Sequence, residues 1–177
     1  TFIKNLSIGS AALVIGAKRV AVVSEKDPAK LPWGQLNIDV VVESTGLFTN
    51  FAKAKAHLTA GAKRVVISAP AKDGADEAGV PVTGVTVLMG VNEDKLKGVQ
   101  LSSNASCTTN AASPLIAILD STIGIEKAIL STTHGYTASQ ALVDGPSKKD
   151  LKEGRAAAQN IVPTSTGAAI AVTQAYP

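Results

Sequence analysis

An α/β fold built around a parallel sheet is predicted by three features of the chain. Ile38 to Ser44 (Ile-Asp-Val-Val-Val-Glu-Ser) is a nearly continuous apolar, β-branched run, the pattern of a strand buried on both faces as in a parallel sheet. Thr45-Gly46 follows it at once. A helix over Phe51 to Ala60, a stop at Gly61 and a second strand over Lys63 to Ser68 then complete the order of a βαβ unit. Further on, the polar run Ser103-Asn104-Ala105-Ser106-Cys107-Thr108-Thr109-Asn110 leads into the apolar pattern Pro114, Leu115, Ile116, Ile118, Leu119, which reads as a capped helix start.

Composition narrows the class. The 177 residues suffice for a real core, and 45% hydrophobic with 18% charged residues marks a globular chain. Aromatics are only 3%, so the core must be built from Ala, Val, Ile and Leu. No apolar run is long enough to span a membrane, and Thr1 to Lys18 lacks the basic start and unbroken apolar stretch of a secretory leader. A single cysteine excludes an internal disulfide and offers no cysteine-rich metal site, so no metal is expected and a reducing cytosol fits. The net charge of +3 suits mild attraction to anions. It is not a nucleic-acid signature, because no dense Lys/Arg block appears and aromatics for stacking are scarce.

Each element has a local reason. Thr1 to Ile15 has no clean period and stays open. Lys18 to Ser24 is a β-branched strand, broken by Asp27-Pro28 and Leu31-Pro32 into a loop that reaches Gly34. Asn50 is the expected N-cap of the Phe51 helix, whose face is Phe51, Ala54 and Leu58; His57, among lysines, reads as a surface residue. Lys72 to Gly84 is a glycine-rich loop or ribbon. Thr86 to Val91 is a strand, Asn92 to Lys95 a short helical turn, and Gln100 to Ser103 a short strand. The Cys107 helix should run to about Ser121, bend at Pro114 and stop at Gly124. Glu126 to Thr133 is a predicted strand delivering His134, Tyr136 to Ala158 a long functional loop, and Thr164 to Ala175 a loop turning into a helix capped by Ser165 or Thr166.

Cys107 is the centre of the chemistry. In the first turn of a helix, unpaired N–H groups and the positive end of the dipole favour a thiolate. The alternative is a small buried hydrophobe; the polar neighbours favour the nucleophile. His134 could serve as its base, since imidazole titrates near neutrality, although a lone histidine of this kind is more often satisfied within a hydrogen-bonded core. Thr45-Gly46, a small residue and a glycine at a strand's carboxyl end, lets a ligand approach the backbone, although such a glycine is most often just a turn.

The segment Ser103 to Asn110 resembles the active-site segment of the glyceraldehyde-3-phosphate dehydrogenase family. Ser24-Glu25-Lys26-Asp27-Pro28, Val42-Glu43-Ser44-Thr45-Gly46, His134-Gly135-Tyr136-Thr137, Val143-Asp144-Gly145-Pro146 and Gln159 to Ala169 resemble segments of that family in the same order. The resemblance runs from about Val20 to the end. It implies an incomplete Rossmann-type parallel-sheet NAD domain over residues 1–105, followed by part of an α+β catalytic domain over 106–177.

The resemblance also implies roles. Cys107 is the nucleophile and His134 the base. Ser106, Thr108, Thr137, Thr166 and Gly167 match residues that hold substrate or inorganic phosphate, and Lys26, Thr45, Gly46 and Ser68 match the lining of the NAD pocket. The implied reaction is phosphorylating oxidation of glyceraldehyde 3-phosphate to 1,3-bisphosphoglycerate through a cysteine thioester, in glycolysis. The implied cofactor is NAD rather than NADP, for which Gly145-Pro146 is the indicator, and the implied assembly is a cytoplasmic homotetramer. The alternatives are another thiol-dependent phosphorylated-aldehyde or semialdehyde dehydrogenase, or a catalytically inactive fragment acting as a binding module.

Departures from the family pattern are specific. No Gly-x-Gly-x-x-Gly occurs, Lys26 stands where Arg is usual, Ala111 replaces a second cysteine, and Ile170 follows Thr-Gly-Ala-Ala where Lys is usual. The chain is therefore expected to be an internal segment spanning the later cofactor domain and the first part of the catalytic domain.

Overall fold

In chain order the computed structural model contains β1 (Leu6–Gly9), β2 (Ala12–Ile15), β3 (Lys18–Ala21), β4 (Val40–Glu43), α1 (Phe51–Thr59), β5 (Arg64–Ile67), β6 (Gly74–Ala75), β7 (Pro81–Val82), β8 (Val85–Thr86), β9 (Leu101–Ser103), α2 (Cys107–Ile123) and α3 (Ala168–Ala175). The structure describes residues 6–9, 12–147 and 150–177; the expectation for Thr1 to Ile15 thus lies partly outside the described residues. The chain divides into two compact units, Thr1–Val85 with Leu96–Ser103, and Thr86–Lys95 with Asn104–Pro177.

The first unit is organised by the βαβ element. β4 and β5 pair in parallel with Val41 opposite Val65 and Glu43 opposite Ile67, and β5 pairs in parallel with β9. The sheet order is β4-β5-β9-β8. Parallel neighbours need a crossover, and α1 supplies it. Asn50 starts α1: its Oδ1 accepts from Ala52 N at 2.9 Å and Lys53 N at 3.4 Å, while its Nδ2 donates to Asp73 O at 2.9 Å. Gly61, at φ 103°, ends the crossover where a side chain would not fit: a Cβ there would lie 2.5 Å from Gly34 Cα. Side chains alternate across a strand, so Val41, Val65 and Ile67 join Phe51, Ala54 and Leu101 in the core beneath α1.

The expectation that the Ile38–Ser44 strand is buried on both faces is corrected here. Val40 is 49% and Val42 63% exposed, because among the described residues α1 covers only one face. The strands β1, β2 and β3, in a region partly left open from sequence, pair as an antiparallel sheet in the order β1-β2-β3, and within Lys72 to Gly84, expected as a loop or ribbon, β6 and β7 make a small ribbon.

The second unit is organised by α2 and α3, which pack together. Ser106 starts α2 and Gly124 ends it, the Gly124 N–H donating to Leu119 O and Asp120 O. Pro114 is accommodated inside the helix. Leu88, Ala105 and Ala175 form a small core against which Val91 packs. Asn92 is buried there, its Oδ1 accepting from Leu88 N at 2.8 Å and its Nδ2 donating to Thr86 O at 2.9 Å and Ala175 O at 3.0 Å.

Two strand expectations fail. Thr86 to Val91 is strand only at its start, because Asn92 folds Leu88–Asn92 back as a turn. Glu126 to Thr133 forms no ladder: its local pattern is that of a strand, but no described segment pairs with it.

Candidate active site

Cys107 is the first residue of α2, and the cap places it there. Ser106 Oγ accepts from Thr109 N at 3.1 Å and lies 2.7 Å from Thr109 Oγ1, which is itself buried. Asn110 secures the approach, its Nδ2 donating to Asn104 O at 2.7 Å and Ser106 O at 2.9 Å. Between these lies Ala105, buried and at φ 54°, where a residue with a Cβ is strained. The chain is thus bent tightly to bring the first N–H groups of the helix around an exposed sulfur.

The sulfur has a partner. Cys107 Sγ lies 3.2 Å from His134 Nε2, and His134 Nδ1 donates to Gly135 O at 2.6 Å. The Gly135 carbonyl fixes the imidazole's proton on Nδ1 and leaves Nε2 to take the thiol proton. The His134 imidazole holds the Cys107 thiol below the ordinary cysteine range, helped by the Thr108 hydroxyl and backbone N–H; slight burial opposes this. The bond to Gly135 O, and next the bond to Cys107, raises His134. Both changes favour a thiolate–imidazolium pair. His134 is exposed rather than a core histidine.

Four of the five predicted anion-binding residues, Ser106, Thr108, Thr166 and Gly167, occur at two helix starts. Ser106 and Thr108 flank the sulfur on α2. Ser106 can serve its cap and still turn its proton outward if Thr109 donates between the two hydroxyls. Thr166 Oγ1 accepts from Ala168 N at 3.2 Å and Gly167 is the N-cap of α3. Backbone N–H groups at such ends attract phosphate oxygens. Thr137 is exposed and bonded locally, its N–H to Gln140 Oε1 at 3.0 Å and its hydroxyl to Ser139 at 3.2 Å.

In the first unit Thr45, Gly46 and Ser68 are brought together at the carboxyl ends of β4 and β5. Ser68 N donates to Glu43 O at 3.0 Å, and Gly46 turns the chain at φ 75°. An exposed glycine turn at the carboxyl edge of a parallel sheet is where an open α/β sheet receives a nucleotide, so these residues fit the dinucleotide implied by the family. Lys26 lies exposed on the preceding loop, and among the described residues no hydrogen bond ties it to this turn.

Sequence reasoning missed what lies behind that turn. His57 is only 4% exposed, not a surface residue, and bonds to Glu43, itself 3% exposed. The available signal was its spacing, since His57 follows Phe51 and Ala54 at helical intervals on the buried face. Among the described residues no group of histidine, cysteine or carboxylate side chains could hold a metal ion.

Comparison with known proteins bears on the family of the chain. A family model for the glyceraldehyde 3-phosphate dehydrogenase C-terminal domain matches residues 106–177, and one for the NAD binding domain of the same family matches residues 1–51. Among curated relatives, the glyceraldehyde-3-phosphate dehydrogenase of Mycobacterium tuberculosis (strain H37Rv) is 54% identical over 171 residues, covering 96% of this chain and 48% of its own length. That of Mycobacterium avium is 53% identical with the same coverage. Glyceraldehyde-3-phosphate dehydrogenase 1 of Kluyveromyces marxianus is 49% identical over 165 residues, covering 93% of this chain and 47% of its own. The chain belongs to the glyceraldehyde-3-phosphate dehydrogenase family and carries parts of its NAD-binding and catalytic domains. It spans about half the length of the curated relatives it matches.

Proposed function

We propose that this chain supplies the thiol centre of a phosphorylating, NAD-dependent oxidation of glyceraldehyde 3-phosphate to 1,3-bisphosphoglycerate in glycolysis. The observation that carries this reading is the 3.2 Å contact between Cys107 Sγ and His134 Nε2 at the start of a capped helix. In this reading Cys107 thiolate attacks the aldehyde carbon, and His134 moves the proton between the sulfur, the alkoxide and solvent. N–H groups at the start of α2 stabilise the developing oxyanion. The resulting hemithioacetal loses a hydride to become a thioester on Cys107. NAD, when bound, supplies the hydride acceptor, and Thr45, Gly46 and Ser68 would hold it, with Lys26 on the adenine side. Inorganic phosphate then attacks the thioester carbonyl, forming the acyl phosphate and returning Cys107 as thiolate, a good leaving group. Ser106, Thr108, Thr137, Thr166 and Gly167 hold the substrate and inorganic phosphate groups.

The reading assigns residues 1–105 to the later part of the NAD-binding domain and 106–177 to the first part of the catalytic domain. It places the intact enzyme in the cytoplasm as a homotetramer. The match to an NAD binding domain supports NAD over NADP, and no described helix is long and apolar enough to cross a membrane.

Incubation with glyceraldehyde 3-phosphate and NAD, without phosphate, tests the reaction. The expected product is a single acyl group on Cys107, detected by peptide mass spectrometry, absent in Cys107→Ser and released on adding inorganic phosphate. Acylation that persists after phosphate is added would contradict the phosphorylating reading and favour an acceptor other than phosphate.

A further inference from the structure

Behind the Thr45–Gly46 turn lies a buried polar chain that the reaction itself does not use. Trp33 Nε1 donates to His57 Nδ1 at 3.0 Å, and His57 Nε2 lies 2.9 Å from Glu43 Oε2. The other carboxylate oxygen, Glu43 Oε1, accepts from Thr45 N at 2.8 Å and from the Thr45 hydroxyl. An indole N–H can only donate. His57 Nδ1 must therefore accept, its proton must sit on Nε2, and it donates to Glu43. The carboxylate in turn receives both protons of Thr45. Burial pushes Glu43 up, but the bonds from Thr45 and His57 outweigh it and hold the carboxyl below its ordinary range.

Thr45 is thereby left with one chemical option. Its hydroxyl proton is committed to Glu43, and its oxygen accepts from Leu47 N at 3.2 Å. What remains toward solvent is a single lone pair. We propose that Glu43 is a positioning residue, oriented by His57 and Trp33, that fixes Thr45 as a hydrogen-bond acceptor, so that the cofactor presents a donor (a ribose hydroxyl or an amide or amine N–H) and not a phosphate oxygen at this turn. This rests on the reading of Thr45–Gly46 as part of the NAD site.

The donor sequence makes a specific prediction. In Glu43→Gln the amide oxygen must face the two donors of Thr45, which turns the amide N–H against His57 Nε2–H. His57 cannot move its proton, because the Trp33 N–H occupies Nδ1. Removing that N–H with Trp33→Phe frees His57 to carry its proton on Nδ1 and accept from the glutamine.

Calorimetric titration of NAD into wild type, Glu43→Gln and Trp33→Phe/Glu43→Gln tests the idea, with circular dichroism confirming the fold of each. Glu43→Gln is expected to weaken NAD about tenfold, the scale of one charge-assisted bond, and the double variant to recover most of that loss. A folded Glu43→Gln that binds like wild type, or a folded double variant that recovers nothing, would overturn the proposal while leaving the cofactor site in place. Wild type that binds no NAD would overturn the cofactor reading and the proposal with it. Should Glu43→Gln fail to fold, Thr45→Ser and Thr45→Val carry the test: serine retains affinity and valine loses about tenfold, whereas equal affinities would overturn it.

Discussion

Ala105 holds a left-handed backbone conformation two residues ahead of the nucleophile, inside a small core with Leu88 and Ala175. A β-branched side chain in that conformation is strained, and the buried site leaves it little room. Ala105→Val should cost about 2–3 kcal/mol in denaturant unfolding. It should also slow Cys107 alkylation at neutral pH, because the Ser106 cap and the sulfur are placed by this bend. Ser113 is the opposite case. Its hydroxyl is buried, with no hydrogen-bond partner among the described residues. Ser113→Ala removes an unsatisfied polar group, and stability should rise by about 1 kcal/mol, read as an upward shift of the unfolding midpoint at constant slope.

At the scale of elements, the βαβ unit stands on Ile67 and Val65, both essentially inaccessible to solvent. Ile67→Ala leaves a cavity under α1 and should cost about 2–4 kcal/mol, measured by the same unfolding experiment. These elements were legible in the sequence because their determinants are local. Asn50 and Gly61 mark the ends of α1, Ser106 and Gly124 those of α2, and the Val40–Val42 run its strand. The Glu126–Thr133 segment was misread for the converse reason: β-branched residues favour extension, but a ladder requires a partner, and no local pattern reports one. Ser106 and Thr108 were recognised as polar residues beside the cysteine, yet the cap geometry that divides their labour emerges only in three dimensions. The Trp33–His57–Glu43 chain was invisible because its members lie far apart in sequence, and each alone has an ordinary explanation.

At the scale of the whole molecule, the two units carry different parts of one proposed reaction, and the thiol centre lies wholly within the second. Its pH behaviour follows from the two displaced groups. His134 is raised, so its contribution to stability is complete below the ordinary histidine value and is lost as pH rises through the raised one. Cys107 is lowered, so its contribution is present above the ordinary thiol value and is lost as pH falls through the lowered one. Both side chains are exposed, so screening keeps these effects on stability small, and thiolate reactivity is the quantity that reports the pair. The most direct measurement is the rate of Cys107 alkylation by iodoacetamide as a function of pH, in wild type and in His134→Ala. Wild type should react with an apparent pKa below the ordinary ~8.5, and His134→Ala should move that midpoint up toward the free-thiol value. Coincident profiles, both those of an ordinary thiol, would contradict an assembled cysteine–histidine pair in this chain.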